Sequence, residues 1–396
     1  MRQHIADYIL QSTSQKSIEF VKKSGWVIND FDRCFIIGNN CFGESTIEKR
    51  CDMPNQKFNI KGTLEEWQKH IGSFLEGNPF LILAASWMLG GPFMRRHNIE
   101  SGGFHFYGKS SFGKTTTLDV AGSILGGDES GFLYRLNATS NAIQALLPYH
   151  NDLGITLDEI DQMSPENLSY LSYSIGNEQG KMRSDKLGNL REYSRWKLPV
   201  LTTGEVSIEA KVQENGKGFC RAGQQVRIVS ISDAICGEMG VFDNIHEFKS
   251  PQAFSEYLQS ASKIFFGSPI QRMIEVYIGN MEDYDSILNN WYIDFCRNVC
   301  PTECSPQLRR IVNKFAYAAG VGELAILFGV LPLKSNMVFD GIKDLCIRFI
   351  KHRGIYDYEE KHTFESIHEF IELNNGKFIH INDRSQYMLM SIQKIS

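Results

Sequence analysis

Two rhythms of apolar positions divide this chain. Over 17–22 and 34–37 apolar residues alternate or run together as in strands, either side of Gly25-Trp26, after a short helix expected at 5–10. A small mixed α/β module over 1–60 is the expectation. The pattern turns helical over 65–76 and 80–94, two segments split by Gly77-Asn78-Pro79. Short apolar runs at 104–107, 154–159 and 197–205, and a loop running into an alternating strand over 218–231, read as strands; helices are expected at 116–124 and 141–148. This predicts an α/β core with a parallel central sheet over 61–250. From 250 onward the chain reads as helix: an aromatic-rich stretch to 295, an amphipathic helix over 309–328, and shorter helices over 341–352 and 363–373. The region 251–396 is expected to form a helical C-terminal lid.

Composition narrows the function classes. With 396 residues, 42% of them hydrophobic, the chain can bury one large core or two smaller ones. A net charge of −5 gives no global basic signature, so any contact with nucleic acid must come from a local patch. Nine scattered cysteines, with no signal-peptide pattern ahead of them, point to reduced thiols in a cytoplasm rather than a disulfide framework. The best apolar run, 80–94, is too short to span a bilayer and contains Gly90-Gly91-Pro92, so no membrane segment is expected. Cys296, Cys300 and Cys304 are regularly spaced, but Pro301 interrupts any helix and no fourth ligand lies nearby in the sequence. Zinc sites use tighter pairs, and no metal is assigned to these thiols.

The sharpest chemistry is Gly108-Lys109-Ser110-Ser111-Phe112-Gly113-Lys114-Thr115, followed by Thr116. Its glycines let the backbone curl so that N–H groups point inward at phosphate oxygens. A lysine then reaches the β- and γ-phosphates, and a Thr115 hydroxyl binds Mg²⁺. The strand before it and the helix after it are the context this Walker A pattern requires, so ATP and Mg²⁺ are the expected ligands. The bland alternative is a glycine-rich turn with a solvated lysine. The strand over 154–159 ends in Asp158-Glu159, the Walker B arrangement: Asp158 for Mg²⁺, Glu159 to polarise the attacking water. Thr202-Thr203 end the next strand, where a polar side chain would lie beside the γ-phosphate. Between those strands, 181–197 carries Lys181, Arg183, Lys186, Arg191, Arg195 and Lys197 against Asp185 and Glu192, with Gly188-Asn189 as a turn. It reads either as a basic β-hairpin contacting nucleic-acid phosphates or as a solvated surface loop. Arginines at 221 and 227, near a strand start, are either local ion-pair partners or fingers reaching into a neighbour's NTP site.

From about 5 to 378 the chain resembles the family of unknown function DUF927, grouped with MCM-like AAA+ helicases of phages and mobile genetic elements. The residues that carry it are Gly25-Trp26, Gly102-Gly103-Phe104-His105, the Walker A loop and Thr156-Leu157-Asp158-Glu159. Gly180-Lys181-x-Arg183, Thr202-Thr203-Gly204-Glu205, Ala222-Gly223-Gln224-x-Val226-Arg227 and the 319–325 segment also fit. The resemblance implies a homo-hexameric, ATP-hydrolysing ring acting on single-stranded or forked DNA in replication of a phage or mobile element, with replication proteins as partners. Lys114, Thr115, Asp158 and Glu159 would act in cis, with Thr203 or Thr202 as sensor 1. Arg227 would be the finger given in trans, Arg310 would be sensor 2, and 181–197 would be the channel-lining hairpin. MCM proteins carry asparagine at sensor 1, where this chain has a threonine pair. It is also expected to lack a full winged-helix domain and a primase or origin-binding domain, as a core beside partners or a truncated relative would. A second class of function stands beside the motor: an ATP-dependent switch or assembly scaffold that binds a protein partner without unwinding.

Overall fold

The computed structural model describes residues 17–29, 32–51, 57–135, 140–180, 194–214 and 226–355. The first strands are β1 (Ile18–Val21), β2 (Gly25–Ile28), β3 (Arg33–Ile37), β4 (Asn40–Glu44) and β5 (Glu48–Cys51); α1 (Leu64–His70) and α2 (Pro79–Leu89) follow. The central sheet and its crossovers comprise β6 (Gly102–Tyr107), α3 (Lys114–Leu125), β7 (Tyr134–Arg135), α4 (Ser140–Leu146), β8 (Ile155–Asp158), α5 (Pro165–Asn177), β9 (Pro199–Gly204), α6 (Ile208–Gln213) and β10 (Ile228–Ser232). Five helices then run on: α7 (Pro251–Ser262), α8 (Ser268–Gly279), α9 (Met281–Val299), α10 (Pro306–Leu327) and α11 (Met337–Arg353). The helices expected at 5–10 and 363–373 lie outside the described residues.

The central sheet is parallel, in the order β10-β6-β9-β8-β7. Its strands read as nearly continuous apolar runs because helices cover both faces. On one face Phe104, Phe106, Leu201, Val229 and Ile231 meet α2, α3, α10 and α11 in one large core. On the other, Ile155, Leu157, Val200 and Ile228 pack with Leu168, Leu171 and Ile175 of α5 and with Ile208 and Val212 of α6. All eleven residues of α2 are buried. A helix apolar all round belongs inside a core, which accounts for the strongest apolar run of the sequence without a bilayer. No helix among the described residues is long and apolar enough to cross a membrane.

Glycine and proline set several boundaries that periodicity blurred. The helix expected over 65–76 stops at Ile71: Gly72 packs so closely that a Cβ there would lie 2.8 Å from the Trp67 ring and 2.9 Å from Pro332. The helical stretch expected from 250 to 295 is three helices, broken where Gly267 adopts φ +82° ahead of Pro269 and again at Asn280. Strands β2, β3 and β4 contribute to the main core. Phe35 and Ile37 belong to it, and Trp26 donates Nε1–H to the Pro92 carbonyl at 2.8 Å. Gly25 has φ +104°, and a Cβ there would lie 2.4 Å from Asp152 Oδ2, which accepts the Trp26 N–H at 3.2 Å. The region expected as a lid divides in its packing. One helix, α7, lies along α3, whereas α10 and α11 are built into the core against α2. The described chain is one compact unit as far as Ile355.

Candidate nucleotide site

The chain leaves β6, curls through 108–113 and enters α3 at Lys114. Gly108 (φ +137°), Ser111 (φ +64°) and Gly113 (φ +83°) supply the curl. The glycines are also needed for space. A Cβ on Gly108 would sit 2.0 Å from Asp233 Cγ, and one on Gly113 would sit 2.8 Å from Val241 Cγ2. The loop is pinned from outside: Asp233 Oδ2 accepts the Lys109 N–H at 2.8 Å, and Val241 N–H donates to the Phe112 carbonyl at 3.0 Å. Inside the curl, Lys114 Nζ donates to the carbonyls of Gly108 (2.8 Å) and Lys109 (2.5 Å). Burial lowers the Lys114 pKa from the ordinary lysine value, opposed by the surrounding acids Asp233, Glu205, Asp161 and Asp158.

Two strand ends face this loop. Asp158 closes β8, and its Oδ1 accepts from Thr115 Oγ1 at 3.4 Å and, more closely, from Thr203 Oγ1 at the end of β9. Thr203 also accepts the Glu159 N–H at 3.3 Å. Glu159 sits in the left-handed region at φ +53°, an uncommon place for a glutamate. Its carboxylate accepts from Gln162 Nε2 at 2.6 Å. Thr202 points to the other face, as neighbouring strand residues must: its Oγ1 meets His105 Nδ1 at 2.8 Å, while His105 Nε2 meets the Val206 carbonyl at 2.9 Å. A carbonyl only accepts, so the ring proton is on Nε2 and Thr202 donates to Nδ1. Burial pushes the His105 pKa down to about 4, so the ring stays neutral. Of the threonine pair, Thr203 is the one in the site.

These groups line a cavity of about 730 Å³, closed on one side by α7. Thr116, in the first turn of α3, holds α7 in place: its hydroxyl meets Ser255 Oγ at 2.5 Å and accepts from Gln259 Nε2 at 2.9 Å. Six carboxylates line the cavity (Asp158, Glu159, Asp161, Glu205, Glu238 and Glu256) against the Lys114 ammonium, the one cationic side chain among the described lining residues. Asp119, buried on α3 nearby, has its pKa raised to about 7, chiefly by burial and with a contribution from Asp158. The fit to a Mg²⁺-nucleotide is direct. The glycine cradle is one a Cβ would fill, N–H groups open the helix, and a hydroxyl and a carboxylate, hard oxygen donors, stand together.

The other expected site residues lie elsewhere. Arg227 precedes β10, at the edge where the strands begin, opposite the P-loop. There its guanidinium meets the Tyr173 carbonyl at 3.5 Å and Asn177 Oδ1 at 3.0 Å on α5, and lies 5.2 Å from the Tyr173 ring centroid. Arg310, near the start of α10, pairs with Glu100 at 2.5 Å on the same edge. Neither is brought to Lys114 within this chain. Lys181, Arg183, Lys186, Arg191 and Arg221 lie outside the described residues. The base of the expected hairpin is described: Gly180 N–H donates to Ser194 O at 2.8 Å and Trp196 N–H to Glu178 O at 3.1 Å. Lys197 is a structural cation, paired with Glu178 at 2.8 Å and donating to Ile99 O at 2.7 Å. Among the described residues no group of three or more His, Cys, Asp and Glu side chains is placed to hold a metal ion; Cys300 and Cys304 are free thiols 3.6 Å apart.

Sequence reasoning missed Asp233, Gln162 and the polar stripe of α7. Asp233 had a signal, an acid closing an apolar strand, the same signal that exposed Asp158. The stripe had none, since only the fold brings α7 beside α3.

Residues 1–195 match the family model described as "Domain of unknown function (DUF927)", just under half of the 396 residues. The chain is similar to a solved structure of the SCCmec type IV Cch active helicase, with a TM-score of 0.71 and 18% identity. That match covers 97% of this chain and 69% of the helicase chain, and at this identity it shows a shared fold. A second similarity, to NtrX from Brucella abortus, has a TM-score of 0.23 and 9% identity over 58% of this chain and 45% of that one, and carries no weight. No curated protein matches the sequence.

Proposed function

We propose that this chain is an ATP-hydrolysing AAA+ motor, a ring-forming DNA helicase or translocase serving the replication of a phage or mobile genetic element. The observation that carries the reading is the order β10-β6-β9-β8-β7, with the P-loop, Asp158, Glu159 and Thr203 converging at the strand ends around one cavity. Placing β9 between the P-loop strand and the acid-bearing strand lets one hydroxyl, Thr203, touch Asp158 and the Glu159 amide together. The shared fold with the SCCmec helicase supports the same reading.

Each residue then has a task. The N–H groups of 110–115 and Lys114 bind the phosphates, Lys114 exchanging its two carbonyl contacts for phosphate oxygens. Thr115 and Asp158 would hold Mg²⁺, which would supply neutralisation of phosphate charge. Glu159 orients the attacking water once its carboxylate leaves Gln162. Thr203 fixes both acids, the sensor 1 task. The cis cavity supplies one ammonium against six carboxylates for a polyanionic ligand. Further cations delivered from outside the chain fit that deficit, and Arg227 and Arg310 stand on the opposite edge, where a ring presents them to a neighbour. The basic 181–197 segment contacts the DNA backbone through phosphates.

The alternative, a slow switch or scaffold, draws on the Glu159–Gln162 contact, which withholds the water-orienting group. Single-stranded DNA decides between them. A motor's ATPase rises with DNA, and that rise is lost with Lys186 and Arg191 replaced by alanine while basal turnover survives, since phosphate contacts act independently of sequence. Turnover indifferent to DNA refutes the motor.

A further inference from the structure

On the edge opposite the P-loop lies a second cavity, about 170 Å³, lined by 97–100, Val226, Tyr292, Arg310, Asn313 and Lys314. Its unusual member is Lys314. The residue is 5% exposed, yet it projects an ammonium with three donors. Among the described residues one hydrogen bond meets it, a long 3.5 Å contact to the Glu100 carbonyl, and the Trp87 ring lies 5.4 Å away. The nearest carboxylates already have partners: Glu100 with Arg310 at 2.5 Å, and Glu178 with Lys197 at 2.8 Å. Arg227 adds its field at Glu100. Among the described charges that act on Lys314 and Glu100, Arg310, Lys197 and Arg227 join Lys314 against Glu100 and Glu178, and Asp285 beside the lining His97 is taken up by Arg96 and that imidazole. Burial lowers the Lys314 pKa to about 8, showing that its surroundings undercompensate the charge.

A buried ammonium without a counter-ion costs several kcal/mol, and a protein normally pairs it or removes it. Here the volume beside it is roomy enough for several waters, and so for a tetrahedral oxyanion. Asn313 Oδ1 accepts from the Cys296 thiol at 3.6 Å, which leaves its NH₂ group as a further donor. We infer that this pocket is a phosphate-oxyanion site, with Lys314 as its buried counter-charge and Arg310 and Asn313 at its mouth. Two sources could supply the same group: free inorganic phosphate, or the terminal phosphate of a nucleotide held by a neighbouring copy. Only the second depends on the ring reading.

The test uses the full chain carrying Lys114→Ala, which weakens the P-loop as a competing phosphate site, with inorganic phosphate as the probe in ³¹P line-broadening titrations. Phosphate should bind, and Lys314→Met or Asn313→Asp added to that background should weaken it about tenfold or more. Asn313→Asp leaves the buried lysine in place and so separates lost binding from lost folding, which circular dichroism checks for both. Should the neighbour be the source, phosphate binds weakly, but nucleotide-induced assembly of otherwise wild-type protein, followed by sedimentation, shifts to about tenfold higher concentration in both variants. Phosphate affinity and assembly both unchanged in folded Lys314→Met and Asn313→Asp proteins overturn the site and leave the motor reading standing.

Discussion

Thr203→Val separates the two threonines that the sequence left as alternatives. Valine keeps the shape and removes the hydroxyl, so two contacts go: the donation to Asp158 Oδ1 and the acceptance of the Glu159 N–H. A hydrogen bond to a charged group contributes about 1.5–3 kcal/mol. If that energy holds Asp158 and Glu159 in the geometry needed only in the transition state, turnover falls about 10–100-fold, since each 1.36 kcal/mol is tenfold. Nucleotide affinity should change by less than about threefold, because the cradle of 108–115 and Lys114 is untouched. Thr202→Val is the control. It leaves His105 Nδ1 a buried acceptor without a donor, costing about 1–3 kcal/mol of stability, with turnover per folded molecule nearly unchanged. Steady-state ATPase, nucleotide titration and urea unfolding on both variants make the comparison. Wild-type turnover in Thr203→Val, or an equal catalytic loss in Thr202→Val, refutes the reasoning.

Other outcomes follow from the same geometry. Lys114→Ala should weaken ATP binding and abolish turnover, while Glu159→Gln should keep ATP bound and stop hydrolysis; near-normal turnover in Glu159→Gln removes the Walker B assignment. Arg227→Ala should bind ATP yet fail to hydrolyse it, with a loss of about 10³–10⁵, and mixing with Lys114→Ala protein should restore activity through mixed interfaces. No recovery at any mixing ratio of folded, assembled proteins leaves Arg227 as the α5 clamp the fold displays. Asp119 has a folded pKa raised from 3.8 to about 7, so the native state holds a proton that the unfolded chain releases, and stability falls as pH rises from about 4 to 7. Asp119→Asn should therefore gain on wild type as pH rises and level off above about 7; urea midpoints differing equally at pH 5 and pH 8 contradict this.

What the sequence disclosed was whatever depends on neighbours along the chain. The P-loop is contiguous, and its glycines announce a curled backbone that side chains would obstruct; Asp158-Glu159 close a short apolar run that reads as a buried strand. Strand order and the pairing of Thr203 with Asp158 are products of crossover connections, which local patterning does not encode. The boundaries at Ile71, Gly267 and Asn280 were blurred for a different reason. Short helices joined end to end keep a helical rhythm, and only close packing, such as Gly72 on Trp67, shows where one stops. The expectation of a helical lid over 251–396 came from a change in rhythm near 250, a local signal that does not show where each helix packs, such as α10 against α2, more than two hundred residues earlier.

The charge distribution links the two edges of the sheet. A cavity lined by six carboxylates and one lysine is poorly matched to a polyanion until Mg²⁺ and further cations arrive. On the opposite edge the described charges acting on Lys314 and Glu100 lean the other way, Arg227, Arg310, Lys197 and Lys314 exceeding Glu100 and Glu178. A β-strand of five residues spans roughly 17 Å, so these cations cannot fold back onto their own P-loop. Complementary imbalances on opposite edges of one protomer are what a head-to-tail contact relieves, and such heterologous contacts close into rings when the rotation permits. This charge pattern supports the proposed assembly by an argument separate from the resemblance. Under the proposed ring reading, the contacts of Arg227 with the Tyr173 carbonyl and Asn177 satisfy its guanidinium within one copy and would be exchanged for a phosphate of the next.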